Sequence, residues 1–276
     1  MECNMFIDRS KVQKRFNEYI EPYDLSDPKI KLKAGHTYKV AMLCEDIATS
    51  LSLSDEYVQL AWLLGMLHDI GRFEQCRVYD TFSDSDSVSH AHLAAIILFG
   101  RDYHEELKDI DTSNLDLSGG PLIRDFIEDD RYDAMIYTAI ANHSAYRIPA
   151  DLPKDVEMMC HILRDADKID IIRVNIETPL EDIYNVSTSQ LRTESITKEV
   201  LDCFYSKSCV LRKLKKAAVD NVIGHISLTF ELVYDRSLQL MKEQGNLDIL
   251  MDFESQNPET MEEFVRIRAF MHEYLS

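Results

Sequence analysis

The doublet His68-Asp69 is the feature of this sequence best suited to chemistry. It closes the run Trp62-Leu63-Leu64-Gly65-Met66-Leu67, which is apolar nearly all round and so reads as a buried helix. A carboxylate in such a place is costly unless it is paired or bound to a cation. Neighbouring helix positions point about 100° apart, so His68 and Asp69 can bracket an ion lying between them near the helix end. Other imidazoles and carboxylates fall at comparable places. His36 lies near the start of an apolar helix, His90 opens the helix after a polar loop, and His143 closes the helix over 132–142. Asp167 sits in Arg164-Asp165-Ala166-Asp167-Lys168-Ile169-Asp170, among Ile162, Leu163 and Ile171. Such donors suit divalent cations. Spacing alone leaves the plainer reading open, since a lone histidine on an apolar face is more often a hydrogen-bonded core residue.

The elements that must carry these side chains are helical by pattern. Apolar residues recur at helical spacing over 10–19 and about 30–50. Ser54, followed by Asp55 and Glu56, starts a helix through Leu67, and Gly71 is placed to end it. A polar loop over 72–89 contains Thr-Phe-Ser-Asp-Ser-Asp-Ser. Helices follow over about 88–107, 122–128, 132–142, 154–174, 197–204, 211–244 and 258–274, with a linker-like stretch over 109–121. No segment alternates cleanly enough to be a confident strand, and 206–210 carries only a weak signal. The expected architecture is all-α: an N-terminal helical segment over 1–29, a core domain over 30–178, and a C-terminal helical extension over 179–276 packed on the same core.

Composition agrees. The 276 residues are ample for a sizeable core, and an apolar content of 45% excludes a disordered chain. Glycine and proline, at 8 and 7 residues, are scarce, so tight turns are few. A net charge of −19 repels phosphate backbones and anionic bilayers. Nucleic-acid polymers and membranes are therefore not expected partners, whereas a small anion remains possible where cations neutralise it locally. The 6 cysteines form no CxxC pair and read as buried free thiols. With no long apolar leader or span, a reduced, soluble, cytoplasmic protein is expected.

Taken together, Gly35-His36-Thr37-x-x-Val40, then Leu67-His68-Asp69-Ile70-Gly71, then Ala166-Asp167-Lys168-Ile169-Asp170 resemble the H…HD…D signature of the HD-domain superfamily of metal-dependent phosphohydrolases. The resemblance spans roughly residues 30–175 and implies an all-α bundle. It also implies that His36, His68, Asp69 and Asp167 hold one ion. Ser89-His90-Ala91-His92 and Asn142-His143 extend the match, with Asp69 bridging to a second ion held by His90 and His143. His92 rivals His90; the two lie about 200° apart on a helix and cannot face one site, and Ala94 favours His90. The Gly-Tyr-Pro motif of some phosphodiesterase branches is absent, and Asn142 stands where they usually carry a paired histidine, which lowers the case for a cyclic dinucleotide.

The implied cofactors are one or two divalent ions (Fe, Mn, Co, Ni, Zn or Mg). The implied substrate is a small phosphorylated molecule, a nucleotide or a phosphodiester, attacked at phosphorus by a metal-activated water. Asp69 would be catalytic as the bridge. Arg72, three residues on, and Lys168, beside the last aspartate, would offset the charge developing on phosphorus. The bland alternative for Arg72 is a salt bridge to Glu74 or Asp80, and for Lys168 an exposed helix lysine. A homodimer is compatible with the amphipathic C-terminal helices. The competing readings are an HD-fold di-iron oxygenase, which uses the same ligand set, and a non-catalytic nucleotide-binding protein.

Overall fold

The computed structural model describes residues 7–276, and among these every regular element is helical, with no strand. The chain divides into two units, one ending at Asp167 and the other running Lys168–Ser276.

The first unit contains α1 (Arg9–Ile20), α2 (Pro28–Ser50), α3 (Asp55–Leu67), α4 (Ile70–Tyr79), α5 (His90–Phe99), α6 (Asp133–Asn142) and most of α7 (Lys154–Glu177). Asp8 caps α1, taking the backbone N–H groups of Ser10 and Lys11, so Ser10 lies inside the helix. Asp27 caps α2, and Pro28 occupies its first turn, where the missing N–H costs nothing. Ser54 caps α3 as the sequence suggests.

The structure corrects the reading of Gly71. Helix α3 stops at Leu67, and α4 begins at Ile70, leaving only His68 and Asp69 between them. Gly71 is the second residue of α4 and terminates nothing. Its role is close approach: a Cβ there would stand 2.6 Å from Ala94 N and would also run into His90 O. The glycine thus lets α4 and α5 touch backbone to backbone. Gly65 does the same between α3 and α2, where a Cβ would stand 2.6 Å from Ala41 N.

Other boundaries also shift. Residues expected as loop from 72 onwards continue α4 to Tyr79, and Asp80 ends the helix in the left-handed region at φ 51°. Helix α5 stops at Phe99 because Gly100 turns out of it at φ 86°, well before residue 107. The helix expected over 122–128 is a single 3-10 turn, Ile123–Asp125.

The second unit holds the rest of α7 and then α8 (Leu180–Tyr184), α9 (Thr188–Thr193), α10 (Lys198–Tyr205), α11 (Asp220–Ile226), α12 (Asp235–Gln244), α13 (Asn246–Met251) and α14 (Pro258–Leu275). The single helix expected over 211–244 is broken into α11, α12 and two 3-10 turns. The buried Asp220 carboxylate explains the first break. It accepts Lys216 N at 2.8 Å and Ala217 N at 2.9 Å, drawing these backbone donors away from a continuous helix, and it also accepts Thr197 N at 2.8 Å. Phe204 packs against Phe230 and Phe270, with ring centroids 5.1 and 5.8 Å away, to close this unit's aromatic core.

Cys44, Cys76, Cys160 and Cys209 are buried free thiols, Cys203 is half-buried, and Cys3 lies outside the described residues. Burial pushes the Cys44 thiol well up. No helix among the described residues is long and apolar enough to cross a membrane.

Candidate metal centre

The first unit gathers His36, His68, Asp69, His90, His143 and Asp167 into one buried cluster. Each arrives from a different part of the helical frame. His36 projects from the middle of α2, and His68 caps the C-terminus of α3. Asp69 occupies the break before α4, His90 is the first residue of α5, His143 caps the C-terminus of α6, and Asp167 lies within α7. Asp69 adopts φ −104°, ψ 14°, a sparsely used backbone region favoured by turn and active-site residues.

Asp69 is the hinge of the geometry. Its Oδ2 lies 3.6 Å from His36 Nε2 and 3.7 Å from His68 Nε2. Its Oδ1 lies 3.4 Å from His90 Nε2 and 3.7 Å from His143 Nε2. One carboxylate thus presents separate oxygens to two imidazole pairs, and the donor atoms of each group lie within 4.8 Å of one another. Asp167 joins the first group through Oδ1, 3.0 Å from His36 Nε2 and 3.8 Å from His68 Nε2.

The far nitrogens fix which atoms face inward. His68 Nδ1 donates to Gly65 O at 2.8 Å, and His143 Nδ1 donates to Ile140 O at 2.7 Å. His90 Nδ1 lies 2.8 and 2.7 Å from the two carboxylate oxygens of Asp84. Carbonyls and ionised carboxylates only accept, so all three Nδ1 atoms carry the proton and all three Nε2 atoms present lone pairs. His90 and His143 then point Nε2 lone pairs at each other across 3.0 Å, an arrangement that a cation held between them would relieve. His68 Nε2 and Asp69 Oδ1 are buried with no hydrogen-bond partner among the described residues. Buried polar atoms without partners call for an explanation. A mixed nitrogen and oxygen donor set around a shared carboxylate fits one or two divalent cations.

Electrostatics support ligation by neutral imidazoles. Burial pushes His68 down to about 4, opposed mainly by Asp69. Burial, reinforced by the Arg72 charge, pushes His90 down to about 3. For the carboxylates the balance runs the other way. Burial opposes ionisation of Asp69, but the Lys33 ammonium, 2.7 Å from Oδ2, holds it well below the usual range. Asp167 and Asp84 are likewise held low against burial, chiefly by His36 and by His90 respectively.

Arg72 does not pair with Glu74 or Asp80. Glu74 takes Arg77 Nε at 2.8 Å, and Asp80 takes Lys29 Nζ at 2.6 Å. Arg72 instead directs Nη1 to Gln75 Oε1 (2.7 Å), Phe82 O (2.8 Å) and Asp84 Oδ1 (3.1 Å). Among the described residues its Nε has no hydrogen-bond partner; it is buried, 3.6 Å from Asp69 Oδ1. Lys168 is buried rather than exposed, and its ammonium lies 3.6 Å from Glu231 Oε2 within the second unit. The structure brings His90 into the cluster and leaves His92 half-buried on another side of α5. His225 contacts the Tyr184 hydroxyl at 2.9 Å, and His272 contacts Asp248 at 2.9 Å.

Sequence reading missed Lys33 and the Asp84 loop. Lys33 stands one helical turn before His36, and that spacing was a usable signal, since it places both on one face of α2. Asp84 lies in the stretch expected as a polar loop. No periodicity governs such a segment, so nothing in the sequence marked its carboxylate. A family model described as HD domain matches residues 34–174 of the chain. No curated protein and no solved structure matches it.

Proposed function

The chain belongs to the HD-domain family, and on that premise we propose that it is a metal-dependent phosphohydrolase acting on a small phosphorylated substrate, a nucleotide or a phosphodiester. The observation that carries this reading is the split presentation of Asp69, with Oδ2 toward His36 and His68 and Oδ1 toward His90 and His143. Divalent cations held there would polarise a phosphoryl oxygen and lower the pKa of a water at the same place.

The chain's own residues supply the rest. His36, His68, Asp69 and Asp167 form one nest of donors; Asp69, His90 and His143 form the other. The Lys33 ammonium and the unbonded Arg72 Nε both border the Asp69 carboxylate. In a protein of net charge −19, this local concentration of cations suits an anionic phosphate and the charge that builds on it. Arg72 is the stronger candidate for phosphate contact, because its Nε–H has no acceptor among the described residues while Lys33 is paired with Asp69.

The test is a screen of nucleoside mono-, di- and triphosphates and simple phosphodiesters with protein reconstituted separately with Mn²⁺, Fe²⁺, Co²⁺, Ni²⁺, Zn²⁺ and Mg²⁺. Metal-dependent release of phosphate or cleavage of a diester, lost in Asp69→Asn, supports the proposal. A protein that loads with metal yet hydrolyses no phosphate ester in the panel contradicts it.

A further inference from the structure

The inward-facing imidazoles of His68, His143 and His90 are not held alike. His68 and His143 each close a helix, and each donates Nδ1–H to the carbonyl three residues earlier in that same helix. His90 is the first residue of its helix. The residue three positions before it, Ser87, lies in the loop, so no helical carbonyl of its own stands behind the ring. The place is taken by Asp84, whose two oxygens lie 2.8 and 2.7 Å from His90 Nδ1.

Asp84 is itself held from α4. Its Oδ1 accepts Arg72 Nη1 at 3.1 Å and Gln75 Nε2 at 2.9 Å. Gln75 is fully buried, and its amide also reaches Ser87 Oγ at 2.9 Å and Val88 O at 2.8 Å, the latter contact fixing the backbone where the segment that carries Asp84 enters α5. A surface loop needs no such buried clamp. The chain of contacts runs from α4 through Gln75 and Arg72 to Asp84, and from there to His90.

We propose that Asp84 is a positioning residue that makes the His90–His143 side of the centre competent to hold its own ion, while the His36–His68–Asp167 side is independent of it. The inference rests on the metal-centre reading above. A carboxylate behind a ligating imidazole fixes its tautomer and ring orientation and raises its basicity. The anchors of His68 and His143 are neutral carbonyls, so of these three imidazoles His90 is the one that gains this added negative charge. Asp84 therefore biases the two halves of the centre differently, and the two ions respond differently to its loss.

The experiment titrates metal-stripped protein with Mn²⁺ alone, reading free Mn²⁺ by electron paramagnetic resonance, for wild type, Asp84→Ala, Asp84→Asn, Ser87→Ala and His143→Ala. Wild type is expected to bind two ions. Asp84→Ala should weaken one of them by about 10–100-fold, the one that His143→Ala abolishes, and leave the other unchanged. Asp84→Asn keeps a neutral acceptor and should fall between Asp84→Ala and wild type. Ser87→Ala removes a loop hydrogen bond without touching His90 and should bind as wild type does, which separates positioning from simple loop stability. If Asp84→Ala proves unstable, the Asp84→Asn and Ser87→Ala pair decides by itself. Two ions bound with unchanged affinity in Asp84→Asn, or equal weakening of both, overturns the inference and leaves the metal centre standing. So does selective loss of the same ion in Ser87→Ala. A wild-type chain that takes up one Mn²⁺ overturns the inference, and one that takes up none overturns the centre with it.

Discussion

Arg72 stands between two tasks, bracing the Asp84 loop through Nη1 and facing Asp69 through Nε. Lysine keeps the charge but cannot span both. Arg72→Lys is therefore expected to lower kcat/KM for the phosphate substrate by about 10-fold or more, on the order of 1.4 kcal/mol of transition-state stabilisation. Glu74→Gln and Asp80→Asn should leave kinetics near wild type, because those carboxylates serve Arg77 and Lys29. Steady-state kinetics on the three variants check this; wild-type turnover in Arg72→Lys removes Arg72 from the catalytic set. A second residue-scale expectation concerns His225 in the second unit. Burial and then the Lys215 charge push it down to about 3, and its ring stacks on Tyr184 at 5.4 Å. The folded protein thus resists a proton that the unfolded chain accepts near pH 6.5. Stability from this group is fully present above that value and drains away as pH falls toward 3. The stability gap between wild type and His225→Asn should accordingly narrow from pH 7 to pH 4, as followed by urea denaturation. A gap that stays constant with pH would show that the imidazole does not titrate in this way.

At the scale of elements, the helices position the centre by backbone contact rather than by side-chain packing alone. Among the described residues, Gly71 and Gly65 are the two places where adjacent helices meet with no room for a Cβ and the atoms in the way are backbone. Gly71→Ala must push α4 away from α5 and move His90 with it. A loss of at least about 1–3 kcal/mol is expected, together with weakened binding of the ion at His90 and His143. Gly35 is the contrast: it is exposed within α2, and a methyl group added there would meet nothing within 4 Å. Gly35→Ala should stabilise by about 0.5–1 kcal/mol through helix propensity. Thermal melts of the pair check the claim, and equal shifts in both would contradict it. These helices show what the sequence can and cannot disclose. The start of α3 was legible because Ser54, Asp55 and Glu56 act locally, on the first turn they belong to. Gly71 was not, since a glycine near a helix end reads as a terminator unless the neighbouring helix is known. The break at Asp220 was equally hidden: the carboxylate that takes Lys216 N and Ala217 N out of a helix is itself held by Thr197 N, a donor distant in sequence.

Over the whole molecule, the metal-centre residues were legible because ligand types recur in order along helices of recognisable pattern. The clamp around them was not, because Lys33, Gln75 and Asp84 acquire their roles only once α2, α4 and the loop are folded together. The second unit carries no comparable motif, and its helices were traceable only as amphipathic segments. The net charge of −19 belongs to this scale as well. Self-repulsion on such a surface opposes the folded state and is screened by salt, so the melting temperature should rise between about 0.02 and 0.5 M NaCl; a decrease would point to attractive surface pairs as the larger effect. The central claim, however, is that one carboxylate, Asp69, serves two ions. It is tested most directly by the metal content of purified, Mn²⁺-saturated protein, measured by inductively coupled plasma mass spectrometry after removal of free metal. Two ions per wild-type chain, one in His143→Ala and none in Asp69→Ala are the predicted values. A wild-type chain holding a single ion that His143→Ala retains, or an Asp69→Ala chain that still holds two, contradicts the account.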